Sequence, residues 1–220
     1  MPSVLVQYQQ EIITSIIQTG MMVGISVLAA ILVGLPVGTF LYLTSKGKLI
    51  EHKSMHNALN LIVNIVRSFP FLLLVVFLIP FTRLIIGTAI GTTAACVPLA
   101  IIAIAHYARF VEQSLLEVPR GVIEAAVSMG ASVKEVIFKF LFVEARSGLV
   151  LGLTTSMVSF ISYSTIMGVV GGGGIGDFAV RYGYQQFKTE LMFYMIVIMI
   201  ILVQLLQIIG TTIARKIDKR

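Results

Sequence analysis

Apolar residues fill this chain in long uninterrupted blocks, not in an alternating or a heptad pattern, and short charged stretches separate the blocks. No Asp, Glu, Lys or Arg occurs in 12–45, 84–108, 147–176 or 191–214, and each interval exceeds the roughly 20 residues a helix needs to cross a bilayer core. A fifth block, 54–82, is broken by a single charge, Arg67. The pattern predicts an all-α polytopic membrane protein with five transmembrane helices at about 17–43, 58–80, 88–108, 148–170 and 191–213. An extracytoplasmic segment, 1–16, precedes them and a basic tail, 214–220, follows. Composition agrees, since 12% charged side chains, no Trp and a mean hydropathy of +0.98 are far from a soluble domain.

Charge then orients the spans, because Lys and Arg near span ends are retained on the cytoplasmic side. Lys46, Lys48 and Lys53 follow span one, Arg109, Arg120, Lys134, Lys139 and Arg146 lie between spans three and four, and Arg215, Lys216, Lys219 and Arg220 end the chain. Five spans place all of these on one side, against Arg83, Arg181 and Lys188 on the other. The expectation is an outside amino terminus and a cytoplasmic carboxyl terminus in a multi-pass plasma membrane protein. The net charge of +6 reads as anchors facing anionic lipid, with no nucleic-acid module in view. The first 15 residues lack a basic region, so a cleavable signal peptide is not expected and the first helix stays attached.

Catalytic and metal chemistry is sparse. Cys96 is the only cysteine, and His52, His56 and His106 have one nearby acid, Glu51, so no metal or cofactor is expected. No P-loop, nucleophile elbow or H-E-x-x-H occurs; the chain is a transport subunit by this reading and not an enzyme. Gly171-Gly172-Gly173-Gly174-Ile175-Gly176 satisfies G-x-G-x-x-G, but it follows a membrane span instead of a strand. A flexible outer loop that meets an extracytoplasmic protein or gates a pathway fits better, with Asp177, Arg181 and Tyr184 as candidate contacts or as plain solvated residues.

The segment 109–147 is charged yet balanced: Arg109, Arg120, Lys134, Lys139 and Arg146 against Glu112, Glu117, Glu124, Glu135 and Glu144. Pro119 suits a first helical turn, Val122, Ala126 and Met129 recur on one face, and Gly130 suits a left-handed stop. Ser132 and Glu135 then have capping-box spacing for a second helix carrying Val133, Ile137 and Phe140. A helix, a hinge and a helix result, either a docking knob for a partner or a helix lying against headgroups.

Within the spans, Arg67 is costly in hydrocarbon by roughly 3 kcal/mol. With Ser68 it lines a pathway and attracts a carboxylate, or it snorkels inward, or span two starts later. Ser159, Ser162, Tyr163 and Met167 are a candidate pathway wall, with helix-to-helix hydrogen bonding as the alternative. Gly20/Gly24, Gly34/Gly38, Gly87/Gly91 and Gly148/Gly152 permit close helix approach, mostly within one subunit. Pro36, Pro70, Pro80 and Pro98 can kink their helices.

Glu124-Ala125-Ala126, three residues, Gly130 and then Ile137 resemble the EAA motif of ABC importer permeases. One departure is Phe142-Val143, where that family usually has Leu-Pro. RSFPFLLLVVFLIPFTRLIIGT at 67–88, ARFVEQSLLEVPRGVIEAAVSMGAS at 108–132 and MGVVGGGGIGDFAVRYGYQQF at 167–187 narrow the resemblance to methionine (methionine/D-methionine) uptake permeases. The resemblance implies the ABC type-1 permease fold over 17–213, with a cytoplasmic coupling helix between helices 3 and 4. It implies that 119–130 inserts into a cytoplasmic ATPase, with Pro119, Glu124, Ala125, Ala126, Gly130, Ser132 and Glu135 as coupling residues. The implied partners are a second copy of the permease, two ATP-binding subunits and an extracytoplasmic methionine-binding protein that meets Gly171, Gly172, Gly173, Gly174, Gly176, Asp177, Arg181 and Tyr184. Another small solute, or an ATP-independent carrier or channel, is the alternative function. A carrier should place acids in its spans, and none of the five has one.

Overall fold

The computed structural model describes residues 6–218 and is built from helices, with no strand among those residues. Helix α1 runs Gln9–Thr44, about two turns longer at its start than the expected 17–43. Its turn widens to π geometry at Ala30–Gly34, directly before Pro36, which has no N–H to offer the turn behind it. Residues 9–16 of the expected outer segment are therefore helical, and residues 1–5 lie outside the described residues.

The expected span 58–80 is not one helix but is broken at Pro70, one of the prolines expected to kink its helix. Helix α2, Lys53–Ser68, and helix α3, Phe71–Phe77, are bent by 106° at the residues between them. Phe69 is extended at φ −67°, ψ 131°, as a residue before proline prefers, and Pro70 cannot donate to the α2 ladder. Helix α4, Ile79–Ile86, follows and stops at left-handed Gly87.

Helix α5 extends over Thr92–Leu116, two turns beyond the expected 88–108, so Arg109 and Glu112 belong to it and not to a loop. Helix α6 is Arg120–Ser128. Helix α7 runs over 133–167, with a π turn at Val136–Leu141, and so starts well before the expected residue 148. Helix α8 covers 174–185 and α9 is Thr189–Ile217, reaching into the expected tail, whose last residues lie outside the described ones.

Among the described residues three helices are long and apolar enough to cross a membrane, α1, α5 and α9, and the bent α2–α3 pair adds a fourth if counted as one span. Helix α5 is the central one, 61% buried in its most apolar window against 6% for α9. Alanines and glycines set that placement. A Cβ on Gly34 would stand 2.9 Å from the Ile104 carbonyl, and one on Gly38 would run into the Ala108 carbonyl, so α1 crosses α5 at backbone contact. Gly148 and Gly152 give α7 the same approach, 3.0 Å from Ser114 Oγ and 2.9 Å from Phe110 Cβ. The other two glycine pairs do not pack: Gly20 and Gly24 face open space, and Gly87 and Gly91 are turn residues.

Candidate functional site

The α6 hinge is assembled by local bonds. Pro119, with ψ 132°, turns the chain out of α5 and into the first turn of α6. Ala126 is fully buried and Val122 and Ile123 are partly buried against Val136 and Leu141, which leaves Glu124 and Ala125 facing outward. Met129 was expected beside Val122 and Ala126 but is 72% exposed, because the helix ends before it. Gly130 N–H donates to Val127 O at 2.9 Å and Ala131 N–H to Ala126 O at 3.1 Å, a Schellman closure that requires the left-handed φ of 81° at Gly130.

The expected capping box then starts α7: Glu135 N–H donates to Ser132 Oγ at 3.4 Å, and Ser132 N–H donates to Glu135 Oε2 at 3.1 Å. Lys139 Nζ adds a bond of 2.9 Å to Glu135 Oε1. The lysine bond, followed by the Ser132 bonds, pulls the exposed Glu135 carboxyl down to about 2. Between α6 and the 45–52 turn lies a cavity of about 430 Å³, with Lys48, Arg120, Glu124 and Val127 in its wall. The exposed side of α6 thus offers a carboxylate, a small alanine and the 48%-exposed Val127 on a rigid mount.

Between α2 and α5, sequence reasoning missed a polar cluster. On α2, His56, Asn60, Asn64 and Arg67 follow one another at helical spacing, a stripe that was legible but unread. Arg109 of α5 donates to Asn60 Oδ1 at 2.8 Å and to Asn64 Oδ1 at 2.5 Å, and pairs with Glu112 at 2.5 Å. Glu112 is only 6% exposed, so its charge is neutralised by the arginine beside it. Arg67 stands in the last turn of α2, exposed, with no hydrogen bond or ion pair among the described residues.

The proposed wall of α7 divides. Tyr163 stacks on Phe71 with ring centres 4.6 Å apart, and Met167 is buried beside Leu74 and Leu99. Ser159 instead borders a cavity facing Gln207 and Thr211 of α9. Ser159 and Ser162 return their hydroxyls to carbonyls of their own helix, Thr155 and Val158, both at 3.3 Å. The four residues do not converge on one surface.

The glycine run is corrected from a flexible loop to a packed turn. Gly172, Gly174 and Gly176 are buried, and Gly171, Gly173 and Gly174 hold φ of 89°, 74° and 88°. Gln18 Oε1 accepts from Gly174 N–H at 2.7 Å and Thr19 Oγ1 from Ile175 N–H at 2.9 Å, two α1 side chains for which no local sequence signal exists. Asp177 pairs with Arg181 one turn on, while Tyr184, 70% exposed, points outward.

Comparisons with known proteins agree with this architecture. Residues 34–220 match the family model described as binding-protein-dependent transport system inner membrane component. A Vibrio cholerae relative named "Probable D-methionine transport system permease protein MetI" is 46% identical over 209 residues, 95% of this chain and 93% of that protein. The "Methionine import system permease protein MetP" of Bacillus subtilis is 43% identical over 180 residues, 82% of this chain and 81% of its own. A solved structure of inward-facing conformations of the MetNI methionine ABC transporter is similar with a TM-score of 0.94 at 39% identity, covering 97% of this chain and 99% of that one. The helical architecture and these matches together make the chain a member of the binding-protein-dependent transport system inner membrane component family.

Proposed function

We propose that this chain is the membrane-spanning subunit of an ATP-driven importer that carries methionine across a bacterial plasma membrane by alternating access. The likeness to permeases named for methionine and to the MetNI structure supports the solute and the assembly: two copies of this chain, two ATP-binding subunits and an extracytoplasmic binding protein. ATP hydrolysis belongs to the partner, because this chain has no P-loop. Five crossings, with the amino terminus outside and α6 in the cytoplasm, satisfy the distribution of lysine and arginine.

The observation that carries the reading is α6 itself, whose inner face is locked to the core by Ala126 while Glu124 and Ala125 are presented outward. Closure of the ATP-binding subunits displaces α6. The Pro119 turn on one side, and the Gly130 hinge with the Ser132–Glu135 cap on the other, transmit that displacement to α5 and α7 as rigid bodies. On the opposite side of the membrane, Tyr184 and the Asp177–Arg181 pair are the surface offered to the binding protein, and the glycine turn 171–176 is their rigid base. The test is reconstitution with the co-purifying ATPase and the binding protein, followed by methionine uptake and ATP hydrolysis. Glu124→Lys should leave membrane insertion intact and lower uptake at least tenfold. Unchanged uptake would remove α6 as the coupling element.

A further inference from the structure

We infer that the break between α2 and α3 is a binding site for a zwitterionic amino acid with an apolar side chain, its carboxylate held by Arg67. This rests on the importer reading above and adds where the solute is held. The first observation is a charge imbalance. Arg67 lies roughly 21 Å along α2 from Lys53 at 1.5 Å per residue, at the bend of the apolar α2–α3 pair. The charged groups acting on it are Arg109 and Glu112, with Tyr163 beside them. Glu112 is already paired with Arg109, so two guanidinium groups face one carboxylate and a positive charge is left over.

A second copy of the chain cannot cancel that charge from within the membrane. No Asp or Glu occurs between Glu51 and Glu112, and the remaining acids belong to the first turn of α1, the 117–144 hinge region, α8, the first turn of α9 and the carboxyl end. A cation kept in low dielectric without a counter-ion is costly, and retaining one implies an anionic visitor.

The second observation concerns the backbone beside it. Pro70 has no N–H for the Val66 carbonyl, and no backbone donor among the described residues reaches the carbonyls of Arg67 or Ser68. These oxygens form the negative end of α2 and suit an ammonium group. A guanidinium and a set of freed carbonyls within one helical turn match the two charges of an amino acid.

The third is space of the right kind. An open depression of about 390 Å³ at the break is lined by Asn64, Ile65, Ser68, Phe69 and Pro70, a size within the roughly 300–1,000 Å³ of small-molecule sites. Ile65 and Phe69 are 48% and 37% exposed there and form an apolar wall for the side chain, an aromatic ring being a favourable neighbour for a thioether. The Asn64 amide is taken up by Arg109 and Asn60, so it holds α2 in register; Arg67 is not in the wall itself but lies three residues on from Asn64 and next to Ser68, in the last turn of α2.

The test uses the permease–ATPase complex in nanodiscs, with Ser68→Cys as a reporter, because the native Cys96 is buried. Labelling by a water-soluble maleimide is followed with and without nucleotide. L-Methionine should slow it at least fivefold in one nucleotide state, whereas methioninol, lacking the carboxylate, and 4-(methylthio)butanoate, lacking the ammonium, should not. Adding Arg67→Ala should abolish the protection and cut uptake at least tenfold, with Arg67→Lys intermediate. Where Ser68→Cys fails to assemble, Ile65→Cys reports on the same depression.

A complex that takes up methionine but shows no protection in either state, or equal protection by methioninol, overturns the site and leaves the importer reading standing. Protection that instead follows phosphatidylglycerol content assigns Arg67 to a lipid phosphate and also overturns it. No methionine uptake by the wild-type complex sinks the importer reading itself.

Discussion

Two glycine turns close helices at the two ends of α7, and they are held together by opposite means. At 128–135 every bond joins residues within six positions of one another, and a Cβ added to Gly130 would meet nothing within 4 Å. At 168–176 the side-chain bonds come from Gln18 and Thr19, each 156 residues away, Gly91 N–H donates to the Gly171 carbonyl, and a Cβ on Gly176 would stand 2.5 Å from the Thr165 carbonyl. The first turn is a local device that can move as a unit on a partner. The second is a joint, immobile because three helices meet on its backbone.

The sharpest way to break this contrast is to add one methyl group to each turn. Gly176→Ala forces two backbones apart and is expected to cost more than about 2 kcal/mol, as overpacking does. Gly130→Ala meets only the left-handed strain of about 1–2 kcal/mol. Thermal unfolding of the detergent-solubilised protein should therefore rank Gly176→Ala below Gly130→Ala, and equal losses would erase the distinction.

Next in size is the long-range support. Gln18→Ala leaves the Gly174 N–H without its acceptor in a buried turn, a loss of about 1–3 kcal/mol. The same unfolding experiment checks it, and wild-type stability would mean that another group or water replaces the side chain.

The smallest expected effects lie at the cap. Ser132→Ala should cost about 1 kcal/mol of local helix stability, read as faster hydrogen exchange at the Glu135 amide. Glu135 has its carboxyl lowered from 4.5 to about 2 in the folded chain. A lowered carboxyl stabilises the fold above its unfolded value and loses that contribution as protonation sets in. Protection of this helix start should be constant above pH 5 and should fall between pH 4.5 and 2, and Lys139→Ala should make the fall smaller and complete at higher pH. A flat profile through that window would show that Glu135 does not hold the cap.

The same division explains how much could be read in advance. The hinge residues Pro119, Gly130, Ser132 and Glu135 were legible because caps and left-handed stops are set within a turn or two. The stripe His56, Asn60, Asn64, Arg67 was legible in principle, since its spacing is helical, but its meaning depended on Arg109 arriving from α5. Arg109 looked like a loop anchor because hydropathy marks where a helix enters lipid and not where it ends. Tyr163 and Met167 share a helix with Ser159 and Ser162, yet which neighbour each one meets is set by the crossing of α7 with α5 and α9.

By itself the sequence determined that the chain is a helical membrane protein, that a charged hinge separates its later helices, and how that hinge is capped. Those features depend on apolar run length and on bonds between near neighbours, which any window of the chain contains. Only the tertiary structure decided that Pro70 opens a bend of 106°, that Arg109 is shared by two helices, and that the glycine run is a clamped joint. Each depends on a partner far along the chain or on the direction of a helix after a break, and those are fixed by packing.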